Sequence, residues 1–148
     1  MFKVNIYIET TIKGPAKRDG AYIYILEFVR ESGEPVTRQE VKHLEDTTEN
    51  ELVLRAMISA LNRLTKNCEI RINTQCHHVL NTVQNLWHIQ WEKSDWINSK
   101  GKEVKNKELW QQYVRMSQIH VITVLSSEHS YQDWMRRELK KEEEKHRI

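Results

Sequence analysis

The sequence predicts an α/β protein built on a mixed five-stranded sheet with helices on both faces. Three observations lead there. Near the N-terminus, three strand-like runs follow one another with short turns, which favours an antiparallel meander. A capping box then opens a helix with an apolar stripe. Two later strand-like runs each return after a helix and can therefore lie parallel to the first strand.

Val4-Asn5-Ile6-Tyr7-Ile8 alternates apolar and polar residues and reads as the first strand. Gly14-Pro15 and Asp19-Gly20 punctuate a loop. Ala21 to Val29 is a largely buried second strand, Gly33-Glu34-Pro35 a turn, and Val36 to Leu44 a third strand. Thr48-Glu49-Asn50-Glu51 is the capping box: the threonine oxygen takes one free N–H and the glutamate reaches back to another. Leu54, Met57, Ile58, Leu61 and Leu64 form the stripe, and Asn67 ends the helix. Cys68 to Thr74 is the fourth strand and Val79 to Leu86 a helix, followed by a tryptophan-rich segment, Trp87 to Trp96. Asn98 to Asn106 is a polar loop, Leu109 to Met116 a helix, Ile119 to Leu125 the fifth strand, and Tyr131 opens a last helix. Residues 136–148 are nearly all charged and read as a solvated or fraying helix end or tail.

The 148 residues suit a single domain, 1–148, able to bury a real core. With 39% hydrophobic and 30% charged residues the chain reads as soluble and globular rather than disordered. No run of about 18 apolar residues is present, so no membrane role is expected. Met-Phe-Lys-Val-Asn-Ile has no apolar signal-like core, and a cytoplasmic chain is expected. Four glycines and two prolines leave no glycine-rich phosphate loop. Cys68 and Cys76 would stand roughly 25 Å apart on an extended segment, at about 3.3 Å per residue. They read as free thiols of a reducing compartment. The seven histidines show no zinc spacing.

Particular residues sharpen this reading. Val4-Asn5-Ile6-Tyr7-Ile8-Glu9, Thr47-Thr48-Glu49-Asn50 with Ala56 to Leu61, and Cys68-Glu69-Ile70 to Gln75 with His77-His78-Val79 form three patches. The most specific is Trp87-x3-Trp91-x4-Trp96, then Lys102-x-Val104-Lys105-Asn106-x2-Leu109-Trp110. Together, from Val4 to about Leu139, they resemble ribonuclease HI of the bacterial type. The resemblance implies strand order 3-2-1-4-5 with the second strand antiparallel, and a basic protrusion at the tryptophans. It implies cleavage of the RNA strand of an RNA–DNA hybrid by four carboxylates that hold two Mg²⁺ ions about 4 Å apart.

The matching positions here are Glu9, Val53, Gln75 and Asp133, so two of the four remain acidic. Valine offers no oxygen, glutamine a neutral carbonyl, and Glu9 moves its carboxylate outward by one methylene relative to the family's aspartate. Magnesium wants oxygen ligands in near-octahedral geometry at about 2.0–2.1 Å. Glu9 and Asp133 would at most hold one ion weakly. Glu51 lies about 200° around the helix from Val53 and reads as a cap. Glu49 shares roughly the face of Val53 one turn earlier and replaces an asparagine of the family's hybrid-contacting pair. Asp46 and Asp95 read as exposed loop charges. The family's proton-transferring histidine sits on a mobile loop. Here that connection is about four residues shorter, and His129, one helical turn before Asp133, reads as a surface histidine at a helix start.

The binding surface is better kept. The resemblance assigns Thr48, Gln90, Trp91 and Trp110 to the grip on the DNA strand, and Asn50 and His77 to the RNA minor groove. Trp87 is expected in the core. Lys93, Lys100, Lys102, Lys105 and Lys107 line the protrusion. Six basic against four acidic residues between Trp87 and Arg115 leave only a modest positive excess.

The function expected is a ribonuclease H-fold module that binds nucleic acid, an RNA–DNA hybrid or another duplex, or a protein partner. It would lack nuclease activity and require no cofactor. The competing reading is a weak ribonuclease with a rearranged site that uses Mg²⁺ or Mn²⁺, and a third is a structural subunit of a larger complex.

Overall fold

The computed structural model describes residues 1–147. Ten elements follow in the order β1 (Phe2–Thr10), β2 (Arg18–Val29), β3 (Pro35–Thr47), α1 (Glu49–Leu61), β4 (Cys68–Asn73), α2 (His77–Gln84), α3 (Trp87–Lys93), α4 (Lys107–Ser117), β5 (Val121–Leu125) and α5 (Gln132–Lys145). The strands form one sheet in the order β3-β2-β1-β4-β5. β2 is antiparallel to both β1 and β3, whereas β4 is parallel to β1 and β5 parallel to β4. This is the expected mixed sheet, and helices cover both faces.

Alternation along the strands divides two cores. On one face Val4, Ile6, Ile8, Tyr22, Tyr24, Ile70 and Ile72 pack with Leu52, Val53, Met57 and Leu61 of α1 and with Trp110 and Tyr113 of α4. Each large aliphatic side chain withdrawn from water there contributes about 1.5–3 kcal/mol. On the other face Ala21, Ile23 and Ile25 meet Met135 and Leu139 of α5.

Several element boundaries differ from the sequence expectation. Helix α1 stops at Leu61 with Asn62 as its C-cap, and Leu64 packs on the core from beyond the helix end. The capping box is half made. Thr48 Oγ accepts from the Glu51 N–H at 3.2 Å. The Glu51 carboxylate takes the Thr47 hydroxyl at 2.6 Å and the Arg55 Nε at 3.0 Å, because those donors lie closer than the backbone. The tryptophan-rich segment is itself a helix, α3, entered through Leu86 at φ 58°. The charged C-terminal stretch is ordered helix to Lys145, since Leu139 is buried against the sheet. His146 stacks on His43 of β3 with ring centroids 3.6 Å apart. Ile148, part of the expected tail, lies outside the described residues. Cys68 and Cys76 are free and buried, and burial raises the Cys76 thiol to about 11, so neither is an activated nucleophile.

Candidate functional site

The end of the sheet where β1 and β4 finish gathers the residues of interest. The parallel register ends with Tyr7 against Asn73, so Glu9, still paired with Ile23 of β2, borders the chain that leaves β4 toward Gln75. Neighbouring strands are about 4.8 Å apart. Glu9 follows the face covered by α5 and is only 4% exposed. Its carboxylate accepts from Arg136 Nε of α5 at 3.2 Å. A carboxylate this buried requires a partner, and the guanidinium supplies it. Asp133, one turn earlier on α5, is exposed and joins none of the ion pairs among the described residues. Gln75 is half-buried at the mouth of a cleft.

Val53 is different. It is 1% exposed and lies within the apolar cluster between α1 and the sheet. The structure thus brings Glu9, Gln75 and the Asp133 turn of α5 to one place, while the fourth position is given over to core packing. Among the described residues, no group of three or more histidine, cysteine or acidic side chains could hold a metal ion.

The connection from β5 to α5 is fastened rather than loose. Glu27 of β2 accepts from Asn5 Nδ2 at 3.0 Å and from the Tyr131 hydroxyl. Asn73 donates to Ser127 Oγ at 2.7 Å. His129 is not the plain surface histidine expected. Its ring lies 4.3 Å from that of Tyr7, and its Nδ1 accepts from the Tyr131 N–H at 3.3 Å. Burial pushes its pKa below the usual histidine value, Glu9 opposes that, and Arg136 adds to it. The short connection wedges the imidazole between aromatic and charged neighbours of the sheet end.

Beside Gln75 a cleft of about 610 Å³ runs between the β1–β2 loop and the N-termini of α1 and α2. Lys13, Glu49, Asn50, His77, His78 and Ser126 line it. Glu49 accepts the Gly14 N–H at 3.1 Å and ties this loop down. Gly20 makes the loop's return fit, because a Cβ there would sit 2.7 Å from Ile12 Cδ1. Asn50 Oδ1 accepts from Cys76 Sγ at 3.2 Å, which leaves its amide N–H₂ toward the cleft. Thr48 is half-buried and its hydroxyl oxygen is spent on capping.

The protrusion carries a second groove, of about 710 Å³, lined by Trp87, Gln90, Trp91, Ser94, Ile97, Asn98 and Lys100. Asn98 Oδ1 accepts both the Lys100 and Lys102 N–H groups, at 2.9 and 3.1 Å, and so shapes the loop that exposes both ammonium groups. Two tryptophan expectations exchange places. Trp110, assigned to the DNA grip, is 0% exposed and has no surface to offer a ligand. It packs edge to face against Trp91 and Tyr113 and supports the groove from beneath. Trp87, expected in the core, is 37% exposed and forms part of the groove wall, at the start of α3 just after the left-handed turn at Leu86. His78, which the sequence did not single out, stacks toward Trp91 at 6.4 Å and joins the two surfaces.

The RNase H family model matches residues 3–129. The Ribonuclease H of Campylobacter curvus is 38% identical over 104 residues, spanning 70% of this chain and 66% of its own length. That of Acetivibrio thermocellus is 36% identical over 123 residues, 82% of this chain and 79% of its own. Among solved structures, LC9-RNase H1, a type 1 RNase H with the type 2 active-site motif, superposes with a TM-score of 0.77. It shares 18% identity over 95% of this chain and 71% of its own. The foamy viral protease-reverse transcriptase in complex with RNA/DNA hybrid superposes with a TM-score of 0.66 at 17% identity, over 95% of this chain and 19% of that one. These two show the shared fold. The extent of the family match and the identity to the bacterial enzymes show more: the chain belongs to the RNase H family.

Proposed function

We propose that this chain is a nucleic-acid-binding RNase H module without nuclease activity. One observation carries the reading: the buried Glu9 carboxylate is already neutralised by the Arg136 guanidinium at 3.2 Å. A divalent ion would have to displace that cation. It would then find a neutral amide at Gln75 and a methyl group in the core at Val53. Two Mg²⁺ ions bring four positive charges and demand about 2.0–2.1 Å oxygen contacts in octahedral array. One free carboxylate, Asp133, does not meet that demand, so the donor set does not fit the family's metal pair.

The binding half of the reading rests on what is retained. Trp87, Gln90, Trp91 and Lys100 share one groove, and Asn50, His77, His78 and Lys13 share the cleft. Flat aromatic faces and exposed ammonium groups suit sugars and phosphates of a duplex. The foamy viral relative of this fold is described in complex with RNA/DNA hybrid, which makes a hybrid the first ligand to try.

The test is one incubation read twice. An end-labelled RNA–DNA hybrid is mixed with excess protein in Mg²⁺ at low salt, then run on a native and a denaturing gel. The reading expects a retarded complex and intact RNA. Shortened RNA refutes the loss of activity, and no retarded complex refutes the binding.

A further inference from the structure

We infer that Arg136, seated on the buried Glu9 carboxylate, is a built-in cation that takes a backbone phosphate of a nucleic-acid strand at the sheet end without any divalent ion. This rests on the binding reading above and assigns the degenerate site a positive task within it.

Three observations converge. The first is orientation. Arg136 is bonded to Glu9 through Nε alone, and its side chain is 52% exposed. A guanidinium carries five N–H donors in a fixed fork. Among the described residues, the four on Nη1 and Nη2 make no hydrogen bond or ion pair. The buried carboxylate therefore acts as an anchor that aims the free edge of the fork outward. Paired N–H donors on one planar edge match two oxygens of a phosphodiester.

The second is charge. A cluster of four carboxylates repels a phosphate unless cations are present between them. Here two of the four positions are uncharged, and Glu9 is cancelled by Arg136. Only the exposed Asp133 remains, where solvent and salt screen it. Of that four-carboxylate barrier one uncompensated charge is left, and on the cleft wall Glu49 is accompanied by Lys13.

The third is continuity. Glu9 lies on β1 beside the point where the chain leaves β4 toward Gln75, and Gln75 lines the cleft that also holds Lys13, Asn50, His77 and His78. A strand lying along that cleft passes the sheet end at Arg136. The next donors it meets are those of the protrusion groove, linked by the His78–Trp91 stack.

The experiment measures hybrid affinity by fluorescence anisotropy across a salt series, in EDTA and in Mg²⁺, for the wild type, Arg136→Gln, Arg136→Lys and Lys100→Ala. The expected wild-type binding needs no Mg²⁺: it persists in EDTA, and added Mg²⁺ weakens it only as a competing counterion. Arg136→Gln should weaken binding about tenfold, the loss of a charge-assisted pair. It should also lower the salt slope by about 0.9, one phosphate contact. Arg136→Lys should recover the slope but only part of the affinity. If Arg136→Gln binds like the wild type while Lys100→Ala is weakened, the phosphate role falls and the binding reading stands. Binding that requires Mg²⁺ also overturns the inference. No wild-type binding at low salt overturns both. Should Arg136→Gln fail to fold by circular dichroism, Asp133→Asn decides: removing the one uncompensated acid of those four positions should tighten binding several-fold, and unchanged affinity overturns the proposal.

Discussion

The sheet end and the tryptophan protrusion have met substitution differently. At the sheet end, the family's function asks four oxygen ligands to hold positions to within roughly 0.5 Å. With Val53 and Gln75 at two of the positions that the proposed reading assigns to those ligands, no graded intermediate is left, and Arg136 pairs with Glu9. On the protrusion, binding sums many loose contacts. There Trp87, Gln90, Trp91 and Lys100 still face one groove although acidic residues intrude between the lysines. A coordination site fails by parts, whereas a binding surface erodes by degrees.

Substitutions that strike each region separately test this contrast. The largest effect is expected beneath the protrusion. Trp110→Ala removes a wholly buried indole and should cost about 3–5 kcal/mol in urea unfolding. Trp87→Ala, on the groove wall, should cost well under half of that and reduce hybrid affinity instead. Equal stability losses would show that the groove wall is core. At the sheet end, Arg136→Ala should destabilise by about 1–2 kcal/mol, a value held down by the exposure of the guanidinium. A stability unchanged by that substitution would mean that the pair does not hold α5 to β1.

Acid should loosen the base of the protrusion as well as the sheet end. Burial pushes His78, His88 and His129 below the usual histidine pKa. In each case the unfolded chain binds protons more readily than the folded one. Their contribution is therefore fully present above the unfolded value of about 6.5 and is lost as pH falls through the folded values. The melting temperature should decline from pH 7.5 to pH 5, and His88→Phe, packed between Trp110 and Tyr113, should flatten the decline. The smallest stability effect belongs to the loop lysines. Lys100→Ala and Lys102→Ala should shift stability by less than about 0.5 kcal/mol. Each should lower the salt slope of hybrid binding by about 0.9 if its ammonium meets a phosphate.

Much of this architecture was legible in the residues. Strand alternation led to the five strands and their mixed sheet, and the resemblance carried by the tryptophan spacing implied the sheet order and the protrusion, because period and spacing survive substitution. The residue types at Val53 and Gln75, which the proposal reads as lost ligands, were equally plain. What the sequence concealed was pairing across long separations. Glu9 and Arg136 are 127 positions apart, and nothing local marks them as partners. Likewise Trp87 opens α3 directly after a left-handed turn at Leu86, where a leucine at φ 58° is a rare choice that propensity does not announce. The ordered helix end at Leu139 was hidden by the charges around it, because a single buried leucine per two turns suffices to dock a helix already held by Met135.

The central claim is that the carboxylate site of this RNase H family member no longer accepts a divalent ion. Calorimetric titration of the wild-type chain with Mn²⁺ tests it most directly. The account predicts no saturable heat into the millimolar range. It also predicts a weak one-site isotherm for the chain carrying Glu9→Asp, Val53→Glu, Gln75→Asp and Arg136→Ala together. Stoichiometric Mn²⁺ binding by the wild type, lost in Glu9→Gln or Asp133→Asn, would contradict it.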